Sequence, residues 1–324
     1  MAFALNLPGL YAREPLRAVF FGTPAIAVPA LRALTQIAEV AGVVCQPDRP
    51  SGRGLKVSPP PVKEAALGLG LDVHQPTKVR TGDLATWVRE KHADVAVVMA
   101  YGRILPRDVL GATRRGAINL HASLLPKLRG AAPINWAIAR GETETGVSLM
   151  QMDEGLDTGP VYSRHAIPIA ETETAGSLAE RVAELAAQVV HADLRTAVDG
   201  KLAATPQDEA LATHAPLIER DHLRIDWGHA ALDIARLVRG MSPRPGAFAL
   251  LQGKILRILD ARPQDGPMPP GAPPGTVSIL GKRALIATGS GTLELLLAQL
   301  EGKKALGASD LINGRVLTEG ALVG

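Results

Sequence analysis

Residues 116–159 read GAINLHASLLPKLRGAAPINWAIARGETETGVSLMQMDEGLDTG, and the rest of the chain is organised around them. The opening, Ala117 to Ala122, has the apolar character of a short strand. Because strand side chains alternate, Ile118 and Leu120 share one face while Asn119 and His121 share the other. Ser123, Pro126, Gly130 and Pro133 then forbid a regular element, so the chain must turn where the strand ends. Asp157 sits in a second turn, GLDTG, from which a carboxylate can swing back towards the imidazole. An amide, a histidine and a carboxylate at a strand end suit polarisation of a carbonyl and proton transfer. A histidine beside apolar strand positions can equally be a hydrogen-bonded core residue, and aspartate between glycines is ordinary turn chemistry. The residues alone leave both readings open.

Outward from this stretch, the chain has the pattern of a doubly wound α/β fold. Leu16 to Phe21 (LRAVFF) is a continuous apolar run of the buried parallel-strand kind, and Gly22, Thr23 and Pro24 turn it into a helix expected to open near Pro29. Val40 to Cys45 is a second such run. The first turn has no G-x-G-x-x-G, so no nicotinamide dinucleotide is expected. Helices are expected over Pro61 to Leu69 and over Asp83 to Lys91, the latter with Trp87 as a core residue. Asp94 to Ala100 is another central strand, followed by a turn with Tyr101, Gly102 and Pro106; ligands of open parallel sheets collect at such strand ends. Pro133 opens a helix over Ile134 to Arg140, and Val147 to Met152 and Pro160 to Ile169 are strands. Ser177 and Glu180 have capping-box spacing before a helix that runs to about Val198.

Lys201 to Pro216 lacks a long apolar run and is expected to be a linker. Beyond it the period changes: after a helix near Ala230 to Val238, short strands are expected at Gly246 to Leu251, Lys254 to Leu259, Gly275 to Leu280, Ala284 to Thr288 and Thr292 to Leu297. Gly-rich turns separate them, as in a small antiparallel barrel. GTVSILGKR has the wrong glycine spacing for a phosphate loop, and Arg283 replaces its hydroxyl residue.

A chain of 324 residues is long for one core, so two domains are expected. The division falls at residues 1–200, a linker at 201–218, and 219–324. Hydrophobic residues make up 46% of the chain but aromatics only 3%, so Ala, Val, Leu and Ile must fill the cores. A single cysteine excludes an internal disulfide, and Cys45 is expected in a core. The scattered histidines have no zinc-ligand spacing, and no metal is expected. No positive residue precedes the apolar N-terminal run and no uncharged run approaches the roughly 18 residues of a membrane span, so a cytoplasmic protein without a membrane partner is expected, as a monomer. The 22 basic and 22 acidic residues up to Ile218 balance, and the net charge of +3 belongs to the 13 basic and 10 acidic residues from Glu219 on. That excess permits a nucleic-acid partner without requiring one.

INLHASLLPKLRGAAPINWAI followed by MQMDEGLDTG resembles the core of the folate-dependent formyltransferases. The resemblance implies a Rossmann-like, mostly parallel sheet followed by a smaller OB-like barrel domain, and 10-formyltetrahydrofolate as donor. It puts the catalytic set on Asn119, His121 and Asp157. It also puts folate contacts on Ser123, Leu124, Leu125 and Pro126, and a pterin-side wall on YGRILP with Tyr101 and Gly102. Gln46 to Pro61, a Pro- and Gly-rich loop carrying Arg49, Arg53 and Lys56 against Asp48, is a solvated insertion on composition alone. QPDRPSGRG resembles the insertion of the branch that formylates methionine on initiator tRNA, which makes Arg49, Arg53 and Lys56 tRNA contacts. RIDW at 224–227, SPRPGAF at 242–248 and GKKAL at 302–306 extend the resemblance through the C-terminal part. Members acting on glycinamide ribonucleotide or amino sugars share the Asn, His and Asp set but are not expected to carry this loop. A non-catalytic RNA-binding relative would not need the intact set. Two positions depart from the family pattern: Leu128, where several members carry an aromatic residue, and Arg244, where tryptophan is expected.

Overall fold

The computed structural model describes residues 15–51, 56–264 and 271–324. Among them no helix is long and apolar enough to cross a membrane. The strands of the first sheet and its insertion are β1 (Leu16–Gly22), β2 (Ala38–Val44), β3 (Arg49–Ser51), β4 (Lys56–Ser58), β5 (Val73–His74), β6 (Val95–Met99), β7 (Ala117–His121), β8 (Glu144–Gln151) and β9 (Val161–Pro168). A seven-stranded sheet runs in the order β5-β2-β1-β6-β7-β8-β9. Packing divides the chain into two compact units, residues 1–118 with 190–203 and residues 119–189 with 204–324.

In the first unit β1 pairs in parallel with β2 and β6, and β2 with β5. Phe20, Phe21, Val43, Val95 and Val97 are fully buried, as the unbroken apolar runs require of strands covered on both faces. Pro29 lies in the first turn of helix Val28–Ile37, where its missing N–H costs nothing. Cys45 is buried, and burial pushes its thiol up to about 11. Trp87 is not a core residue. It lies half-buried, stacked on His74 at 4.8 Å and crossed by the Lys91 ammonium at 4.5 Å, with its ring edge where a Cβ at Gly42 would sit only 2.5 Å away. The aromatic ring covers the glycine gap in β2 rather than filling the interior. The insertion is more ordered at its base than a solvated loop: β3 and β4 form an antiparallel pair, and Lys63 bonds Asp48 at 2.8 Å.

In the second unit β8 and β9 are antiparallel. Helix Ala175–Val189 is capped three residues before the expected position: Ser177 N–H donates to Thr174 Oγ1 at 3.3 Å while Thr174 N–H donates to Ser177 Oγ at 3.1 Å. Thr174 therefore caps and Ser177 is the reciprocal partner, the role assigned from spacing to Glu180. The helix passes into a π turn, Val190–Leu194, which apolar periodicity does not signal.

The C-terminal sheet comprises β10 (Ala247–Leu251), β11 (Lys254–Gln264), β12 (Val277–Leu280), β13 (Arg283–Ala287), β14 (Thr292–Leu300) and β15 (Ala305–Gly307), in the order β10-β11-β14-β13-β12 with β15 on β14. Register shifts in β11 around Asp260 let this long strand coil, and the chain's last residues join the two edges by bridging Leu251 to Val323 and Thr276 to Leu322. β15 and helix Ala308–Asn313 are absent from the sequence reading because neither has a run long enough to show a period. Arg244 is exposed, so that departure places a charge on the surface and not in the barrel. Helix Ala231–Met241 packs on helix Pro133–Ala139, with Asn135 Nδ2 donating to Gly240 O at 2.7 Å.

Glu294 is the buried charge of this sheet, 4% exposed, accepting from Arg283 Nε at 2.7 Å and from Arg262 Nε at 2.8 Å. Arg283, aided by Arg262, holds its carboxyl below the ordinary glutamate value of 4.5 against the raising effect of burial. A depressed carboxylate stabilises the fold above its unfolded-state value and loses that contribution as the pH falls through the folded one. Glu294→Gln is therefore expected to cost about 1–2 kcal/mol at neutral pH, the two guanidiniums being partly exposed. Denaturant unfolding checks this: the gap to the parent protein narrows as the pH falls below 4.5, and a gap independent of pH would rule the ion cluster out as its source.

Candidate active site

β7 places Asn119 and His121 on one face, 8% and 6% exposed. The Asn119 amide makes no hydrogen bond to any described residue; in the same sheet the buried hydroxyls of Thr145 and Ser163 also lack a described partner.

His121 is held by its far nitrogen. Its Nε2 lies 3.1 Å from the carbonyl oxygen of Leu128. A carbonyl can only accept, so Nε2 carries the hydrogen, and in the neutral ring the lone pair is on Nδ1. Nδ1 in turn faces Asp157 Oδ2 at 3.6 Å, too long for a hydrogen bond to a ring N–H but close enough to stabilise an imidazolium. Leu128 reaches this position through a left-handed backbone, φ 60°, and its own N–H donates to Thr213 Oγ1 at 2.9 Å. Its side chain is 3% exposed, packed with Ala137 and Ala215. The departure from an aromatic thus leaves the functional contact untouched, since the carbonyl and not the side chain meets His121.

Asp157 also has a positive φ, 55°, and its Oδ2 accepts from Gly130 N–H at 2.8 Å. Gly130 has φ 121°, where a side chain is strained, and a Cβ there would lie 2.6 Å from the Ala215 carbonyl oxygen. The turn carrying Asp157 is tied by Gln207, whose Nε2 donates to the carbonyls of Asp157 at 2.8 Å and Gly159 at 2.7 Å. Arg129, 3% exposed, donates to Glu209 through Nη1 and Nη2, each at 2.8 Å, and to Gln207 Oε1. The bonds to Glu209 raise the guanidinium's proton affinity against the opposing effect of burial. Neither Gln207 nor Thr213 carries a signal in the sequence, where residues 201–216 have no periodicity and no motif.

The loop Ser123 to Pro126 follows β7 directly. Ser123 Oγ donates to the Lys127 carbonyl at 2.6 Å, so this hydroxyl holds the loop's own turn. Ser148 on β8, fully buried, donates to Ser123 O at 2.7 Å and accepts from Leu125 N–H at 3.0 Å, a clamp the sequence does not announce. Leu125 is 1% exposed, while Leu124 and Pro126 are half-buried. In the first unit, Tyr101 and Gly102 follow β6; the Tyr101 carbonyl accepts from Thr23 Oγ1 at 2.9 Å. Its ring is buried edge-on to Phe21 at 5.4 Å, and burial pushes its phenol up to about 12. Arg49 opens β3 and is exposed, Lys56 opens β4, and Arg53 lies outside the described residues.

A buried amide unpaired among the described residues, an imidazole with one nitrogen fixed, and a carboxylate beside the other suit the transfer of a carbonyl-bearing group. The chain belongs to the formyl transferase family: the profile described as formyl transferase matches residues 17–194, and that described as formyl transferase, C-terminal domain, matches residues 217–316. It is 56% identical over 310 residues to the methionyl-tRNA formyltransferase of Sorangium cellulosum, covering 95% of this chain and 100% of that protein. It is 46% identical to the methionyl-tRNA formyltransferase of Myxococcus xanthus, covering 94% and 97%. In fold it is similar to HypX from Aquifex aeolicus solved with tetrahydrofolic acid, at a TM-score of 0.64 and 20% identity over 94% of this chain and 48% of that one. The sugar 3N-formyl transferase WlaRD matches at a TM-score of 0.64 and 16% identity, over 90% of this chain and 100% of that one.

Gly130→Ala tests the geometry. The strain of a side chain in this backbone region costs on the order of 1–3 kcal/mol, and the N–H that holds Asp157 must shift. Formyl transfer is expected to fall at least about tenfold in a protein that still folds, given the sensitivity of catalysis to misplacement of about 1 Å. Unchanged turnover would show that the Gly130 to Asp157 bond does not position the carboxylate.

Proposed function

We propose that this protein transfers the formyl group of 10-formyltetrahydrofolate to the α-amino group of methionine carried on initiator tRNA. The observation that carries the reading is the buried Asn119 amide, without a partner among the described residues, beside an imidazole whose hydrogen is fixed on Nε2. The names of the full-length relatives, at 56% and 46% identity, support the choice of acceptor.

The amine attacks the formyl carbon, and the carbonyl oxygen gains negative charge. Asn119 donates to that oxyanion without a bond of its own to break, which is what makes a preorganised donor effective. The amine gives its proton to His121 Nδ1, the only ring position with a lone pair, and Asp157 at 3.6 Å stabilises the imidazolium formed. Collapse of the tetrahedral adduct expels N10 of tetrahydrofolate, which takes the same proton from Nδ1. Protons and charge balance without a metal or a further reactant. Asp157 acts on this account through charge, while the Leu128 carbonyl orients the ring.

The loop Ser123 to Pro126, with Tyr101 and Gly102, supplies folate contacts in this reading. Arg49, Arg53 and Lys56 meet tRNA phosphates and bases, and the basic C-terminal part adds to that surface. Residues 1–200 are then the catalytic part and 219–324 the tRNA-facing part, joined by 201–218. The protein works as a monomer in the cytoplasm, where translation begins.

Incubation with 10-formyltetrahydrofolate and methionyl-tRNA tests the function. Formyl-methionine is expected on initiator tRNA and not on elongator tRNA, and formylation of neither would overturn the reading. Arg53→Ala is expected to lower kcat/KM for methionyl-tRNA by about tenfold, within the range of one well-made arginine contact, while the KM for folate stays unchanged. Equal losses for both substrates would assign Arg53 to the fold instead.

A further inference from the structure

The two groups that fix the ends of the His121 ring are each held in place by one short segment far along the chain, and its bonds end on backbone rather than on catalytic side chains. Gln207 uses all of its side-chain capacity: two N–H bonds go to the carbonyls of Asp157 and Gly159, and Oε1 accepts from Arg129 Nε at 3.1 Å and Nη2 at 2.9 Å. The N–H pair straddles Thr158 and fixes the turn in which Asp157 has φ 55°, a conformation that a non-glycine residue leaves readily when unsupported. Six residues on, Thr213 Oγ1 accepts from the N–H of Leu128, whose φ of 60° aims its carbonyl at His121. The neighbouring backbone locks the same register, with Arg129 N–H donating to Thr213 O at 2.8 Å and Ala215 N–H donating to Arg129 O at 2.7 Å. Arg129, bonded to Gln207 and Glu209, follows Leu128 directly and so ties the two supports together.

We propose that Gln207 and Thr213 are positioning residues for formyl transfer: Gln207 sets the distance from Asp157 to His121 Nδ1, and Thr213 sets the Leu128 carbonyl that holds the proton on Nε2. The proposal rests on the reading of Asn119, His121 and Asp157 as the transfer site. Neither residue touches substrate. Their effect passes through backbone whose geometry decides where the ring points and what charge it meets, so it falls on the chemical step and not on binding.

Three substitutions separate this role from simple support of the fold. Gln207→Glu keeps an oxygen acceptor, now charged, for Arg129 but has no N–H to offer, so it preserves the clamp on the arginine while turning a carboxylate towards two carbonyls. Thr213→Val keeps the shape and removes the acceptor, and Thr213→Ser restores it. With 10-formyltetrahydrofolate and initiator methionyl-tRNA both saturating, kcat of Gln207→Glu and Thr213→Val is expected to fall on the order of tenfold to a hundredfold, as misplacement by about 1 Å does. Each KM stays within about threefold, because binding and chemistry are lost separately. Thr213→Ser returns kcat to within about threefold of the parent on the same ground. The His121 ring Nε2–H resonance reads the Thr213 half independently of turnover: it moves in Thr213→Val and returns in Thr213→Ser. A parent protein that transfers no formyl group would remove the functional reading while leaving that resonance to decide the positioning. A parent that transfers, with kcat unchanged in Gln207→Glu and Thr213→Val, or with losses confined to KM, overturns the proposal.

Discussion

The hydrogen bond between His121 Nε2 and the Leu128 carbonyl, 3.1 Å long, is the constraint on which the rest of the site depends. It decides the tautomer, and the tautomer decides that the lone pair faces Asp157 rather than the protein interior. A histidine 6% exposed at a strand end would otherwise be a satisfied core residue, as the sequence alone allows. What distinguishes it is that only one of its nitrogens is satisfied. The other looks towards a carboxylate at a distance that leaves the charge unneutralised until a proton arrives.

The cost of this arrangement appears in the backbone. Leu128 and Asp157 both adopt positive φ, and Gly130 at φ 121° stands between the loop and the Asp157 carboxylate. Left-handed residues persist where surrounding structure over-determines them. Here that structure is polar: the Thr213 hydroxyl, the Gln207 amide and a buried arginine. The apolar packing around Leu128, from Ala137 and Ala215, seals the back of the loop without setting its direction.

Much of the sheet could be read from the chain because period and breakers agree. LRAVFF and DVAVVMA lack the alternation of half-exposed strands and become buried ones, and prolines or glycines stand at helix starts and stops where their stereochemistry is useful. Asn119 and His121 were legible because strand alternation needs no tertiary information. The size of Trp87 suggests an interior position, whereas the gap it covers exists only once Gly42 is opposite it. The cap lies three residues before Ser177 because Thr174 and Ser177 use the same box with a hydroxyl in place of the carboxylate. Gln207, Thr213 and Ser148 were invisible for a deeper reason: isolated polar residues in segments without period acquire meaning only through partners about 25 to 85 residues away.

Nitrogen-15 NMR of the histidine rings, with His121 assigned by loss of its signals in His121→Gln, tests the central claim most directly. In the neutral ring the hydrogen is expected on Nε2, with a bare Nδ1. A ring carrying its hydrogen on Nδ1 would contradict it, because the carbonyl of Leu128 could then no longer be the partner that orients His121, and Nδ1 could not receive the amine's proton.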